Sequence, residues 1–231
     1  MNWKNIKVNA EGNGFCLEGQ AIFGPYKSVL KFHAPGLAPV EDETGSYHIN
    51  SEGMALYRQR YLRTFGYYCE RAAVSSEQGQ FHIDTKGNAI YGERYDWCGN
   101  YQQDICTVRK GGEYFHIDLQ GHPLYEERYR YAGDFRDGYA CVRQADGYCL
   151  HIDSQGRALH PYRYLELDVF HKGFARAKDE AGWLHIDLAG RPVYNRRFLQ
   201  LEPFYNGFAL VQNQGGEHEI INEKGDCQHK I

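Results

Sequence analysis

The sequence predicts an all-β fold: tandem repeats of three- to four-stranded antiparallel meanders, in about seven units of 34–35 residues. Three observations predict it. First, a short His-containing motif recurs at a fixed step: "YHIN" places His48, "FHID" places His82 and His116, and "LHID" places His151 and His185, at steps of 34, 34, 35 and 34. Second, a glycine keeps the same step, at Gly53, Gly87, Gly121, Gly156, Gly190 and Gly225, with a degenerate first copy, "GFCLEG", ending in Gly19. Third, alternating apolar runs such as "GYACV", "GFARA" and "GFALV" lie between turn signals, the period-2 pattern of half-buried strands.

Each element of the unit follows in order. "GYACVRQADGYCLHID" reads as two strands joined at Ala145-Asp146-Gly147, and "YCLHIDSQGRALH" as a second hairpin around Ser154-Gln155-Gly156. Glycine at the end of each turn takes a positive φ without steric cost. A short apolar segment follows, ending in Tyr57, Tyr91, Tyr125 or Tyr194, and then an Arg-aromatic pair such as Arg94-Tyr95 or Arg197-Phe198. Seven residues after each Arg stands another aromatic: Tyr67, Tyr101, Phe135, Phe170, Phe204. A connection of about ten residues leads on to the next meander. A single meander cannot bury both faces, so neighbouring units must stack to make the core.

Repeat stations near residues 14, 48, 82, 116, 151, 185 and 220 span the chain without a linker or composition shift, and residues 1–231 read as one domain. Seven stations fit a closed, propeller-like ring, which is preferred. The open β-solenoid stays as the rival, because the step of 34 is short for a four-stranded blade of about 40 or more residues.

The order "ID, two residues, Gly, apolar pair, Tyr, F-x-x-G-x-A-x-V" resembles the bacterial WG-repeat (tryptophan–glycine) family over residues from about 14 to 228. Where that family usually carries Trp-Gly, this chain has an aromatic or apolar residue and then His, as in Phe115-His116; Trp183 alone keeps the Trp. It reads as a His-Ile-Asp variety. The resemblance implies an all-β repeat fold and little about function.

Composition narrows the function classes. With 26 basic and 30 acidic residues and no basic run, a nucleic-acid partner is not indicated. No apolar run approaches the roughly 20 residues of a membrane span, and the N-terminus "MNWKNIKVNAEGNG" lacks a signal-peptide core. Seven scattered Cys with no CxxC pair read as reduced thiols, which favours a cytoplasmic setting and argues against a zinc site. No Gly-rich phosphate loop or nucleophile elbow is present, so no cofactor is expected.

His116 and Asp118, two residues apart on one strand face, resemble a general base and its orienting partner. The same dyad recurs in several units, whereas an enzyme needs one site, so a structural role is expected. The constant ten-residue offset from Asn50, Asp84, Asp118, Asp153 and Asp187 to Arg60, Arg94, Arg128, Arg163 and Arg197 predicts one Asp–Arg contact per unit. The His column is expected to be buried and free of metal. Cys106 and Cys141 are expected in the core.

Recognition is expected in a column that varies. Four residues before each second aromatic stand Ser28, Arg63, Trp97, Tyr131, Glu166 and Gln200. Stacked repeats present such a column to a partner, and Arg63, Trp97, Tyr131, Glu166 and Gln200 are the candidate partner-binding residues. Asp134, Asp168 and Glu202 beside them favour a basic or amine-bearing partner. The function expected is a non-catalytic binding or scaffold module for a protein, peptide or small metabolite. The alternative is a small enzyme or accessory factor of a biosynthetic or toxin system, with a pocket on the repeat axis.

Overall fold

The computed structural model describes residues 1–231. Apart from one 3-10 turn at Trp3–Asn5, its regular structure is all strand, and the strands form seven antiparallel meanders in chain order. The first sheet joins Lys7–Val8, Phe15–Leu17 and Gln20–Phe23, and the second Ser28–Val29, Leu37–Asp42 and Gly45–Asn50. The third is Arg63–Tyr68, Arg71–Ser76 and Gly79–Ile83, and the fourth Trp97–Cys98, Cys106–Lys110 and Glu113–Ile117. Tyr131–Ala132, Ala140–Arg143 and Cys149–Ile152 make the fifth; Glu166–Leu167, Ala175–Asp179 and Gly182–Ile186 make the sixth. The seventh adds a fourth strand, Cys227–Lys230, to Gln200–Leu201, Phe208–Gln212 and His218–Asn222.

Seven sheets match the seven stations, but the strand membership differs from the expectation in one respect. After Gly53, Gly87, Gly121, Gly156 and Gly190 the segment expected as the third strand makes only single bridges, such as Ile83↔Ala89, Ile152↔Ala158 and Ile186↔Pro192, whereas after Gly19 and Gly225 it is the paired strand Gln20–Phe23 or Cys227–Lys230. The hydrogen-bonded outer strand comes instead from the connection: Trp97–Cys98, Tyr131–Ala132, Glu166–Leu167 and Gln200–Leu201 are two residues long and pair with the central strand. Between this bridge and the next on the same edge, such as Gln80↔Tyr95 or Trp183↔Phe198, the chain loops out, so no continuous ladder forms there and the paired segment lies further on.

The alternation explains the core. In the central strands, small residues face the Ile of the His-Ile-Asp motif: Ala38 opposite Ile49, Ala72 opposite Ile83, Ala140 opposite Ile152, Ala175 opposite Ile186 and Ala209 opposite Ile221. All ten are buried. A small residue against a larger one fills the layer without strain.

Packing divides the chain into two compact units, Met1–Gly112 with His116–Pro123, and Glu113–Phe115 with Leu124–Ile231. The first unit holds a core around Phe15, Phe32, Val40, Tyr67, Val74 and Phe81. The second holds clusters around Tyr164, Phe170 and Leu184, and around Phe198, Phe204 and Val211.

Candidate functional site

The recurring polar residues turn out to build the scaffold. The five motif histidines are fully buried, as the sequence predicts, and four of them show the same geometry. Nε2 faces the backbone oxygen of the residue 17 positions on: Phe65 at 2.7 Å from His48, Gly99 at 3.0 Å from His82, Asp168 at 2.7 Å from His151 and Glu202 at 2.9 Å from His185. A carbonyl can only accept, so Nε2 carries the hydrogen and Nδ1 is left as an acceptor. Nδ1 takes that bond from the tyrosine hydroxyl nine residues on: Tyr57 at 2.5 Å, Tyr91 at 2.5 Å and Tyr194 at 2.6 Å. Each His thus ties its hairpin to two later segments. Burial pushes His48, His82 and His185 down to about 4, so these rings are neutral.

The Asp–Arg expectation is not met. Each carboxylate caps its own turn: Asp84 Oδ1 accepts from the amides of Lys86 and Asn88, Asp118 Oδ1 from Gln120 and His122, and Asp153 Oδ1 from Gln155 and Arg157. Asn50 does the same with Glu52 and Met54, and Asp187 with Arg191. These are Asx turns, in which a short acceptor mimics the backbone. The arginines take other partners. Arg94 Nη1 donates to the oxygens of Tyr91, Gly92 and Glu93, and Arg128 Nη1 to those of Tyr125, Glu126 and Glu127. Their guanidinium groups lie over Phe81 at 3.6 Å and Phe115 at 3.9 Å. Arg163 and Arg197 do form ion pairs, but with Asp146 at 2.5 Å and Asp179 at 2.7 Å, in the preceding hairpin turns. The fixed offset reflects two scaffold positions held in register, not a contact between them.

The varying column occupies one equivalent place. Ser28, Arg63, Trp97, Tyr131, Glu166 and Gln200 each open the first strand of their sheet, exposed, with a buried residue following. Their cross-strand partners are Glu41, Ser75, Arg109, Arg143, Lys178 and Gln212, so Trp97 and Tyr131 stand opposite arginines. Glu166 is drawn into an ion pair with Arg143 at 2.6 Å. Arg63 and Trp97 belong to the first unit; Tyr131, Glu166 and Gln200 belong to the second.

Within the second unit Tyr131 lines a cavity of about 750 Å³ walled by Arg136, Asp168, His171, Glu202, Phe204 and Tyr205, among others. Arg63 lines a cavity of about 240 Å³ and Gln200 one of about 330 Å³. Asp168 is anchored by Arg176, with Nε 2.5 Å from Oδ2. Cys141 also lines the large cavity. Its thiol donates to the Leu167 oxygen at 3.1 Å, and the neighbouring Cys149 sulfur together with burial pushes its pKa up. It is therefore a core thiol and not an activated nucleophile.

Three cavity residues escaped the sequence reading. Arg136, His171 and Tyr205 directly precede the turn pairs Asp137-Gly138, Lys172-Gly173 and Asn206-Gly207, whose residues all have positive φ. They form a second varying column, Tyr68, Gln102, Arg136, His171 and Tyr205, one residue beyond the second aromatic. That register was the available signal.

The family model described as "WG containing repeat" matches residues 83–114 and 117–148. Curated sequences yield no match. Among solved structures, BamB from Moraxella catarrhalis is similar at 12% identity and a TM-score of 0.51, covering 98% of this chain and 86% of that one. A eukaryotic initiation factor is similar at 9% identity and a TM-score of 0.59, covering 98% and 72%. The computationally designed protein Ika8 is similar at 11% identity and a TM-score of 0.50, covering 98% and 84%. At these identities the likeness is one of fold: tandem antiparallel meanders of the propeller-like kind.

Proposed function

We propose that this protein, whose residues 83–114 and 117–148 are WG repeats, is a binding module that takes a peptide or protein segment in the cavity of its second unit. The observation that carries the reading is the cavity itself. At about 750 Å³ it falls within the size of ligand sites, and Tyr131, Phe204 and Tyr205 offer it aromatic surface. The scaffold chemistry is already absorbed by the buried His, the turn-capping Asp and the stacked Arg, which leaves the varying columns for recognition.

The walls favour a cationic guest. Glu202 is exposed at the cavity beside Tyr205, and Asp168 stands in the same wall. An ammonium or guanidinium between a carboxylate and aromatic faces gains both ion pairing and cation–π attraction. Arg136 supplies the opposite charge at another point of the wall, which suits a peptide backbone carbonyl or a terminal carboxylate. A cytoplasmic location belongs to the same proposal; all seven cysteines are free thiols, and no helix is long and apolar enough to cross a membrane.

The test is direct binding by calorimetry of lysine- and arginine-bearing peptides, with glutamate-rich peptides of equal length as controls. Cationic peptides should bind, and Tyr205→Ala and Glu202→Gln should each weaken them by about tenfold, the 1.4 kcal/mol of a modest hot spot. Stronger binding of the glutamate-rich peptides would overturn the cationic guest. Binding of cationic peptides that both substitutions leave unchanged would remove the cavity from the reading.

A further inference from the structure

One junction departs from its sisters. Where Tyr57, Tyr91 and Tyr194 meet the motif histidine, the fifth sheet brings His160 to His151, with His160 Nε2 3.1 Å from His151 Nδ1. Both rings are buried, His151 at 1% and His160 at 5% exposure. The far ends of the pair are fixed by backbone oxygens: His151 Nε2 lies 2.7 Å from Asp168 O, and His160 Nδ1 lies 3.1 Å from Tyr162 O.

Counting hydrogens exposes the difference. Three contacts run in series, from Asp168 O through His151 and His160 to Tyr162 O, and each needs one hydrogen. Both carbonyls only accept, and two neutral imidazoles bring one N–H apiece. Two hydrogens for three contacts leave one contact with lone pairs on both sides: the central one, between the two rings, when both carbonyls are served. In the sister junctions the tyrosine hydroxyl brings its own hydrogen, so a neutral His and a neutral Tyr satisfy both contacts. We infer that His151 and His160 form a proton-binding site, taking up a single proton from solvent and sharing it between Nδ1 of His151 and Nε2 of His160. The separation fits a hydrogen bond. It is too short for a metal held in line between the two nitrogens, which would need about 4 Å at about 2.0 Å per bond.

The surroundings carry one charge that supports the proton. Asp187, in the turn that follows the sixth sheet, acts on His160 in the direction that favours its charged form, while burial opposes it. The other neighbours are neutral or already paired. Phe170 lies against His151 with ring centres 4.1 Å apart, and Cys141 stands across the strand as a thiol. The His160 ring covers Gly190, whose oxygen accepts from the Tyr164 hydroxyl, and the ring of Tyr162 is 6.3 Å away. The Asp168 carboxylate is paired with Arg176. Burial drives both rings toward neutrality, His151 down to about 4 like the sister histidines and with the neighbouring His160 adding to the shift, but in this junction neutrality leaves a buried contact without its hydrogen, which costs on the scale of a lost hydrogen bond.

Ring nitrogen shifts of each histidine, followed by NMR from pH 7 downward, test the inference. His151 and His160 should together gain one proton at a pH above that at which His48, His82 and His185 protonate. His160→Tyr reproduces the sister junction and should move His151 into the sister group. Both rings staying neutral until the sisters titrate, or each ring gaining its own proton, would overturn the inference. A second measurement needs no site assignment. Between the ordinary His range and about 4, wild type and His160→Tyr should take up the same number of protons on unfolding. The folded wild type holds one of the two that its unfolded chain binds at these positions, and the variant holds none of one. One additional proton taken up by wild type would mean that the folded pair is empty.

Discussion

A buried histidine in this protein is a hydrogen-bonded strut, and its neutrality has a cost in acid. In an unfolded chain His titrates near 6.5; in the folded protein burial holds His48, His82 and His185 at about 4. Between those values the unfolded state binds protons that the folded state refuses. Stability is therefore full above the unfolded value and falls as pH drops from about 6.5 toward 4, by on the order of 3 kcal/mol per histidine at the acid end. The melting temperature should decline steadily across that window; a flat profile would contradict the neutral rings. The turn aspartates make a second residue-scale prediction. Asp84 engages the amides of Lys86 and Asn88 and not Arg94, so Asp84→Ala should cost about 1 kcal/mol. A double-mutant cycle with Arg94→Ala should show coupling below about 0.5 kcal/mol. Coupling well above that would restore the ion pair that the offset of ten residues implied.

At the scale of elements, the hairpin tips and the motif turns use glycine for different reasons. Seven tips consist of two residues with positive φ, and five of them end in Gly19, Gly112, Gly138, Gly173 and Gly207. The other two place Glu70 at φ 60° and Asp104 at φ 65° in that position. A side chain there carries a left-handed penalty of about 1 kcal/mol that glycine avoids. Glu70→Gly and Asp104→Gly should each stabilise the protein slightly, by up to about 0.5 kcal/mol once the greater freedom of the unfolded glycine is subtracted. Chemical denaturation reads this directly, and a loss of stability in both would mean that these side chains have a role in the tip. The motif-turn glycines obey a stricter rule. Besides positive φ, a Cβ on Gly156 would fall 2.6 Å from the Tyr125 ring, and one on Gly225 would fall 2.6 Å from Tyr194. Gly156→Ala should therefore cost more than about 1 kcal/mol, because the ring that seals the turn is itself a buried scaffold residue.

For the whole molecule, the buried scaffold positions and the exposed varying positions separate by column. Trp97 is 39% exposed and Tyr131 is 52% exposed, although each opens a strand whose next residue is buried. Tyr131→Ala and Trp97→Ala should leave the melting temperature close to wild type, since surface changes usually stay within about 0.5 kcal/mol. Tyr131→Ala should also weaken cationic-peptide binding by more than about 1 kcal/mol, because Tyr131 lines the large cavity of the second unit. If Tyr131→Ala melts far below wild type, the side chain serves the core and the cavity reading loses its aromatic wall.

The sequence by itself determined the repeat, the number of sheets, the buried His column and the turn glycines. Each of these is a local demand repeated at a fixed step: a period of two along a strand, a positive φ in a turn, an apolar face to cover. The exposed column at Arg63, Trp97, Tyr131, Glu166 and Gln200 was legible for the same reason, since every member opens a strand. What only the tertiary structure decided is which side chains meet. The ten-residue offset between Asp and Arg was constant, yet the Asp found amides two and four residues away at far lower entropic cost than a distant guanidinium. The His found its partners 9 and 17 residues on, where chain reversal returns the backbone to it. The cavity of the second unit assembles Tyr131, Arg136, Asp168, His171, Glu202 and Tyr205 from three successive repeats. Convergence from separate hairpins depends on how sheets pack, and no local pattern in the chain encodes that.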